Sequence, residues 1–141
     1  MVDPNIWGPC GWKFLSYIAI NYPEYPTDDE KMKYKQFILT LQHVLPCKIC
    51  SKNMTEYIAK NLSVLESKLS SKENLFSFFV DLHNDINTKN GKKQFTYLEA
   101  KNALLDMQTE ESTKIIESAY KFDSSKLFIT TVCVFILNFI R

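Results

Sequence analysis

Glycine is nearly missing from this chain: its 141 residues include only Gly8, Gly11 and Gly91. No G-x-G-x-x-G or P-loop pattern can be assembled from them, so a nucleotide cannot be held in the Rossmann or Walker manner, and any dinucleotide must sit in another kind of pocket. Arginine is scarcer still. Arg141 is the only one, which disfavours rigid bidentate phosphate clamps. The net charge of +1 argues against a nucleic-acid surface built on bulk charge. The four cysteines, Cys10, Cys47, Cys50 and Cys133, are too few and too scattered for a secreted disulfide scaffold. The start, Met1-Val2-Asp3-Pro4-Asn5, has no basic segment followed by an apolar one, so no secretory signal is expected. Nothing before the last fifteen residues reads as a paired strand, and there is no internal repeat.

What the chain does have is apolar side chains at helical spacing. At 45% apolar and 13% aromatic, disorder is disfavoured and one substantial core can form. A first helix is expected over 9–22, with Trp12, Leu15, Ala19 and Tyr22 in register, before Pro23 and Pro26 break the run. Thr27-Asp28-Asp29-Glu30 fits a capping box, and Tyr34, Phe37, Ile38, Leu41 and Leu45 follow as a stripe that should end before Pro46. A third helix is expected from about Cys47 to Lys60, with Cys50, Met54, Tyr57 and Ile58 inward and a polar loop over 61–70. Ser70-Ser71-Lys72-Glu73 reads as a second capping box before Leu75, Phe76, Phe79, Val80, Leu82 and Ile86, with Gly91 as the stop. Thr96-Tyr97-Leu98-Glu99 caps again before Ala100, Leu104 and Met107, and a further short helix is expected over Glu111–Phe122. The expectation is all-α: a helical bundle, whose core can hold a cofactor between facing helices.

Three stretches carry chemistry. In Pro46-Cys47-Lys48-Ile49-Cys50, the proline favours a helix start, which places the two cysteines one turn apart on one face. That spacing suits a redox disulfide at a helix N-terminus, but it also suits a zinc site or inert packing. Trp7-Gly8-Pro9-Cys10-Gly11-Trp12 offers either a flat aromatic wall that a ring system can approach or a staple of core aromatics. His83 and Asn87 share a helix face with Phe76, Phe79 and Val80, and as polar groups on an apolar stripe they need partners. Lys89 and Lys92 lie just beyond, where two ammoniums can meet a phosphate pair, or water.

Taken together and in order, Trp-Gly-x-x-x-Trp-x-x-Leu, Tyr22-Pro23, Pro46-Cys47-x-x-Cys50 and His83-Asn84-x-x-Asn87-x-Lys89-x-Gly91-Lys92 resemble the flavin-linked sulfhydryl oxidases of the Erv/ALR type, over roughly Ile6 to Phe95. The compact form and the lysine bias are most similar to the members carried by large DNA viruses. The resemblance implies a four-helix bundle with a short fifth helix, FAD at the mouth of the bundle, and a homodimer. It implies that Cys47 and Cys50 are the catalytic disulfide, with Cys50 facing the flavin and Cys47, taken as the more exposed sulfur, receiving electrons from a thioredoxin-like or other dithiol protein. Oxygen is the implied final acceptor, giving hydrogen peroxide. Gly8, Trp12, Ser16, Tyr22, His83, Asn87, Lys89 and Lys92 are the implied cofactor-binding residues. Ser16 stands where the family usually has a histidine, and Cys10 has no family role.

Two other functional classes compete. One is a thioredoxin-like exchanger, which needs its Cys-x-x-Cys at a strand-to-helix junction. The other is a zinc-stabilised helical module built from Cys47, Cys50, His83 and either Cys10 or His43. The expected domain is 1–122, followed by a linker and apolar tail over 123–141. Within the tail, Leu127–Ile140 is a run of 14 uncharged residues. As a helix it spans about 21 Å against a hydrocarbon core of ~30 Å, so it reads either as a membrane anchor or as a helix packed on the bundle or in a dimer. Host cytoplasm or virion, with or without a membrane anchor, is the expected location of a viral member.

Overall fold

The structure, a computed structural model, describes residues 3–107, 109–110 and 112–118. Four helices follow one another: α1 (Pro4–Ile20), α2 (Asp28–Val44), α3 (Lys48–Lys68) and α4 (Lys72–Lys89). A fifth helical stretch begins at residue 97. Among the described residues there is no strand, and the all-α expectation holds. The chain divides into two compact units, Met1–Lys101 and Asn102–Arg141. The first contains the whole four-helix bundle. In the second, residues 102–107, 109–110 and 112–118 are helical. The expected domain boundary at 122/123 and the apolar tail lie outside the described residues. Among those described, no helix is long and apolar enough to cross a membrane.

Local chemistry explains most helix ends. Thr27 and Glu30 form the expected capping box, with the Thr27 amide donating to Glu30 Oε2 at 2.8 Å and the Glu30 amide donating to Thr27 Oγ1 at 3.3 Å. Thr96 and Glu99 repeat it before the fifth helix, at 2.8 and 3.1 Å. Backbone and side-chain hydrogen bonds from Thr96, with the Lys93 ammonium, hold the Glu99 carboxyl down to about 2. α4 stops at Asn90, and Gly91 takes φ +63, a conformation glycine adopts without Cβ strain.

Three boundaries differ from the expectation. α1 begins at Pro4, not near residue 9, because Asp3 caps it (Asn5 amide to Asp3 Oδ1, 2.8 Å) and proline is already suited to the first helical position; the helix then continues through Pro9. α3 continues through the expected loop to Lys68. Ile58, Leu65 and Leu69 are all buried, so the apolar stripe persists and the polar residues of 61–68 are its outer face. The cap of α4 is Ser71, whose Oγ accepts from the Asn74 amide at 3.3 Å, and not Ser70 paired with Glu73.

The helices run antiparallel to their neighbours. Lys68 of α3 reaches Ser77 and Asp81 of α4, and Glu56 of α3 pairs with Lys89 of α4 at 3.6 Å. Trp12 of α1 meets His83 of α4, while Glu24 just past α1 pairs with Lys72 at the start of α4. Ser51 at the start of α3 donates to the Gln42 carbonyl near the end of α2, and Lys35 pairs with Glu66. The start of α1, the end of α2, the start of α3 and the end of α4 therefore share one end of the bundle. Between the helices lies a core that includes Leu15, Ala19, Ile38, Met54, Ile58, Leu75, Phe78, Phe79 and Leu82.

Candidate functional site

Cys47 and Cys50 form a disulfide, with Cα atoms 5.2 Å apart. Pro46 separates α2 from α3, and Cys47 is the N-cap of α3, its Sγ accepting from the Cys50 amide at 3.2 Å. The Ser51–Gln42 hydrogen bond ties this first turn to the end of α2. Two of the competing readings lose their basis here. The Cys-x-x-Cys lies between two helices, not after a strand. The sulfurs are bonded to each other, so they do not act as zinc thiolates, and His83 stacks on a tryptophan; among the described residues no three His, Cys, Asp or Glu gather as a metal site. The exposure order of the sulfurs also needs correction. Cys47 is 1% exposed, whereas Cys50 is only half-buried, so Cys50 is the more open of the two.

The second group is aromatic. Trp12 and His83 stack with centroids 4.1 Å apart and an interplanar angle of 11°. Phe95, which follows the strap of residues 92–94, lies 5.8 Å from His83 with its ring tilted against it. Burial, and secondarily the charge of Lys92, push His83 down to about 4. Between that value and the ordinary histidine value of 6.5, the unfolded chain binds a proton that the folded chain does not. Stability must therefore fall as pH falls through this window. We expect His83→Phe, which keeps a ring against Trp12 but cannot titrate, to flatten the decline in urea midpoint between pH 6.5 and 4.5 that the parent shows.

Asn87 and Lys89 are engaged otherwise than the sequence suggested. Buried Asn87 donates from Nδ2 to the Lys93 carbonyl at 3.1 Å, and its own carbonyl accepts from the Lys92 amide at 2.8 Å. Asn84, part of the motif but given no role from the sequence, holds Phe95 on both backbone groups, at 2.8 and 2.9 Å. These asparagines lace the strap to α4. No sequence signal separates a strap-binding asparagine from a ligand-binding one, since both need the same amide. Lys89 pairs with Asp85 at 2.9 Å as well as with Glu56, and both contacts raise its pKa. Lys92 is exposed.

Gly8 sits one turn before Trp12, level with Asn87 one turn after His83. It is half-buried, yet a Cβ added there would meet nothing within 4 Å. Packing therefore does not explain the glycine, and the space beside it is open. Trp7 Nε1, next to it, is a buried donor without an acceptor among the described residues, and the Trp7 ring fits only because residue 11 is glycine, whose added Cβ would come within 2.9 Å of it. Half-buried Ser16 lies one turn deeper on α1. Tyr22 does not join the group. It is buried at the opposite end of the bundle, with its hydroxyl donating to the Leu69 carbonyl at 2.9 Å and its ring edge-on to Tyr34.

The two groups are separated along the bundle. Lys89 is six residues past His83, and Cys50 is six residues before Glu56, the partner of Lys89. At 1.5 Å per residue, the aromatic stack and the disulfide lie about 18 Å apart along the helix axis. A flat stack, with an orphaned indole donor, an open glycine and a terminal lysine along the half of that length next to it and the disulfide at its far end, fits an extended ligand with planar and anionic parts, such as a dinucleotide, better than a compact one.

Comparison with known proteins gives the same outline. The profile described as the Erv1 / Alr family matches residues 9–105. A protein of Acanthamoeba polyphaga mimivirus named "Probable FAD-linked sulfhydryl oxidase" is 38% identical over 103 residues, which is 73% of this chain and 71% of that one. The mitochondrial FAD-linked sulfhydryl oxidase of Saccharomyces cerevisiae is 35% identical over 88 residues, 62% of this chain and 44% of that protein, so the chain matches less than half of the yeast relative's length. The crystal structure of the FAD-binding domain of Erv1 from Saccharomyces cerevisiae aligns with a TM-score of 0.68 at 30% identity, covering 75% of this chain and 97% of that one.

Proposed function

The chain belongs to the Erv1 / Alr family, and from that premise we propose that it is an FAD-linked sulfhydryl oxidase working through Cys47 and Cys50. The observation that carries the reading is the disulfide at the N-terminus of α3, at the same end of the bundle as Gly8 and the end of α4. A thiolate of a dithiol protein, thioredoxin-like or other, attacks one sulfur of the pair and expels the second as thiolate, forming a mixed disulfide. The client's second thiol then resolves the mixed disulfide. The client leaves as a disulfide, and Cys47 and Cys50 hold its two electrons and two protons as thiols. The start of α3 favours a thiolate there, through its unpaired amides and the positive end of its dipole. Bound FAD would supply the two-electron acceptor for this dithiol, with oxygen as the final acceptor and hydrogen peroxide as the product. The resemblance gives Cys50 the flavin side and Cys47 the client side. The single-cysteine variants discussed below test that assignment.

Gly8, Trp12, His83, Lys92 and the unpartnered Trp7 indole are the residues that would line the cofactor. Ser16, Asn87 and Lys89 support that wall, Asn87 through the strap and Lys89 within its carboxylate pairs. Tyr22 is left to the core. We expect Lys92→Ala to weaken FAD retention several-fold on dialysis and Lys89→Ala to weaken it less, because Lys89 is already paired with Asp85 and Glu56. Equal losses would mean that both ammoniums reach the cofactor. The homodimer implied by the resemblance belongs to the same proposal, supported by exposed Phe14 on α1 and Met32 on α2. A cytoplasmic or virion location and membrane attachment through the tail rest on the sequence alone.

The test is direct. The purified protein should be yellow, release free FAD on denaturation, and consume oxygen when given dithiothreitol. A folded protein that stays colourless with added FAD would overturn the reading.

A further inference from the structure

The surface around the disulfide is apolar and basic, and the redox chemistry does not require either property. Val44 is 66% exposed and Ile49, between the two cysteines, 57%. Pro46 is exposed between them. Three large apolar groups thus stand in solvent within six residues, where burying them would be favourable. The charges beside them are all of one sign. From Lys31 to Thr55 the chain contains no aspartate or glutamate. His43, Lys48 and Lys52 are exposed around the corner. Two carboxylates toward this end of the bundle are already engaged: Glu56 lies 3.9 Å from Lys52 and 3.6 Å from Lys89, and Asp85 is paired with Lys89 at 2.9 Å. Lys48 has no carboxylate partner among the described residues.

We propose that Val44, Pro46, Ile49, Lys48 and Lys52 form the client-docking surface, and that it selects acidic dithiol segments carrying an apolar side chain beside the cysteine pair. The proposal rests on the oxidase reading and names its substrate class. Its position suggests the occupant: a segment seated on Val44 and Ile49 lies beside the disulfide, whose Cys50 is half-buried, a place suited to a client that presents thiols. The charge fixes the sign. A patch of this size gives only a transient contact, in which opposite charge acts chiefly on the rate of encounter. Lys48 also sits in the first turn of α3, where a cation is unfavourable to the helix dipole, so folding does not account for its presence.

Two peptides with the same Cys-x-x-Cys and the same flanking leucine, one with glutamates and one with lysines around it, would be assayed as substrates of the full-length protein beside dithiothreitol. The acidic peptide should show a kcat/KM about tenfold higher at low salt, converging with the basic one as ionic strength rises. Lys48→Glu with Lys52→Glu should reverse the order and leave dithiothreitol oxidation unchanged; Lys48→Glu favours the helix N-terminus, so the variant should fold. Val44→Ser with Ile49→Ser should lower kcat/KM for both peptides but not for dithiothreitol. Oxidation of dithiothreitol with no peptide preference at any salt concentration would overturn the docking proposal alone. Loss of self-association in the serine variant, with peptide rates unchanged, would assign the patch to a second copy of this chain and also overturn it. No oxidation of dithiothreitol by the parent protein would overturn the oxidase reading, and this proposal with it.

Discussion

Replacing either Cys47 or Cys50 with serine is expected to lower dithiol oxidation by about a thousandfold or more, since neither cysteine can exchange with a client and close again without the other. The fold should persist in both variants. Cys47 caps α3 through its sulfur, and serine is among the preferred N-cap residues, so the hydroxyl introduced by Cys47→Ser can take over the contact to the Cys50 amide. What remains in each protein differs. Cys47→Ser leaves the half-buried sulfur and Cys50→Ser leaves the covered one. A thiolate lying against bound flavin gives a long-wavelength charge-transfer absorption. The resemblance expects that band in Cys47→Ser and not in Cys50→Ser. The opposite pattern would give the flavin side to Cys47 and the client side to the more exposed Cys50. Absorbance spectra of the two purified variants, recorded with flavin content and oxygen uptake, decide between these assignments.

The second large effect is on stability. Phe78→Ala is expected to cost about 3–5 kcal/mol, a substantial share of the roughly 5–15 kcal/mol typical of a domain. Phe78 is 1% exposed, with its ring edge-on to Tyr57 at 5.6 Å and to Phe79 at 5.7 Å. Removing it leaves a cavity between α3 and α4 that these rings cannot fill without giving up their own packing. Tyr57, whose phenol pKa is raised by burial, is part of the same cluster. A urea midpoint lowered at unchanged slope would show the loss. A change below about 1 kcal/mol would mean that α3 and α4 collapse onto the cavity.

Phe78 also marks a limit of pattern reading. The α4 stripe was legible as Leu75, Phe76, Phe79, Val80, Leu82 and Ile86; the first five are buried and Ile86 is half-buried. Phe78 lies off that stripe and is buried nonetheless, because α4 is covered by α1 on one side and by α3 on the other. A helix with two neighbours needs an apolar arc wider than the one a single amphipathic stripe describes. The same physics misled the reading of 61–68. Its polar residues suggest a loop when taken alone, but Leu65 and Leu69 continue the stripe of α3 inward while those polar residues face water.

Local signals acted over a few residues and could be read without coordinates. The Thr27/Glu30 and Thr96/Glu99 capping boxes, the break at Pro46, the stop at Gly91 and the one-turn spacing of Cys47 and Cys50 all depend on neighbours three or four positions away. The ordered motifs were enough to indicate the family. Other features depend on distant contacts, and only the tertiary structure decided them. Tyr22 sits at the far end of the bundle because Leu69, 47 residues later, takes its hydroxyl. Asn87 turns to the strap and Lys89 to Glu56 and Asp85 because antiparallel packing brings those partners alongside. Cys47 is buried and Cys50 only half-buried, a difference that depends on how the corner between α2 and α3 packs and that the identities of the residues do not encode. A hydrogen-bonding or charged side chain carries its chemistry in the sequence, but which of several suitable partners it meets is settled by how the helices pack.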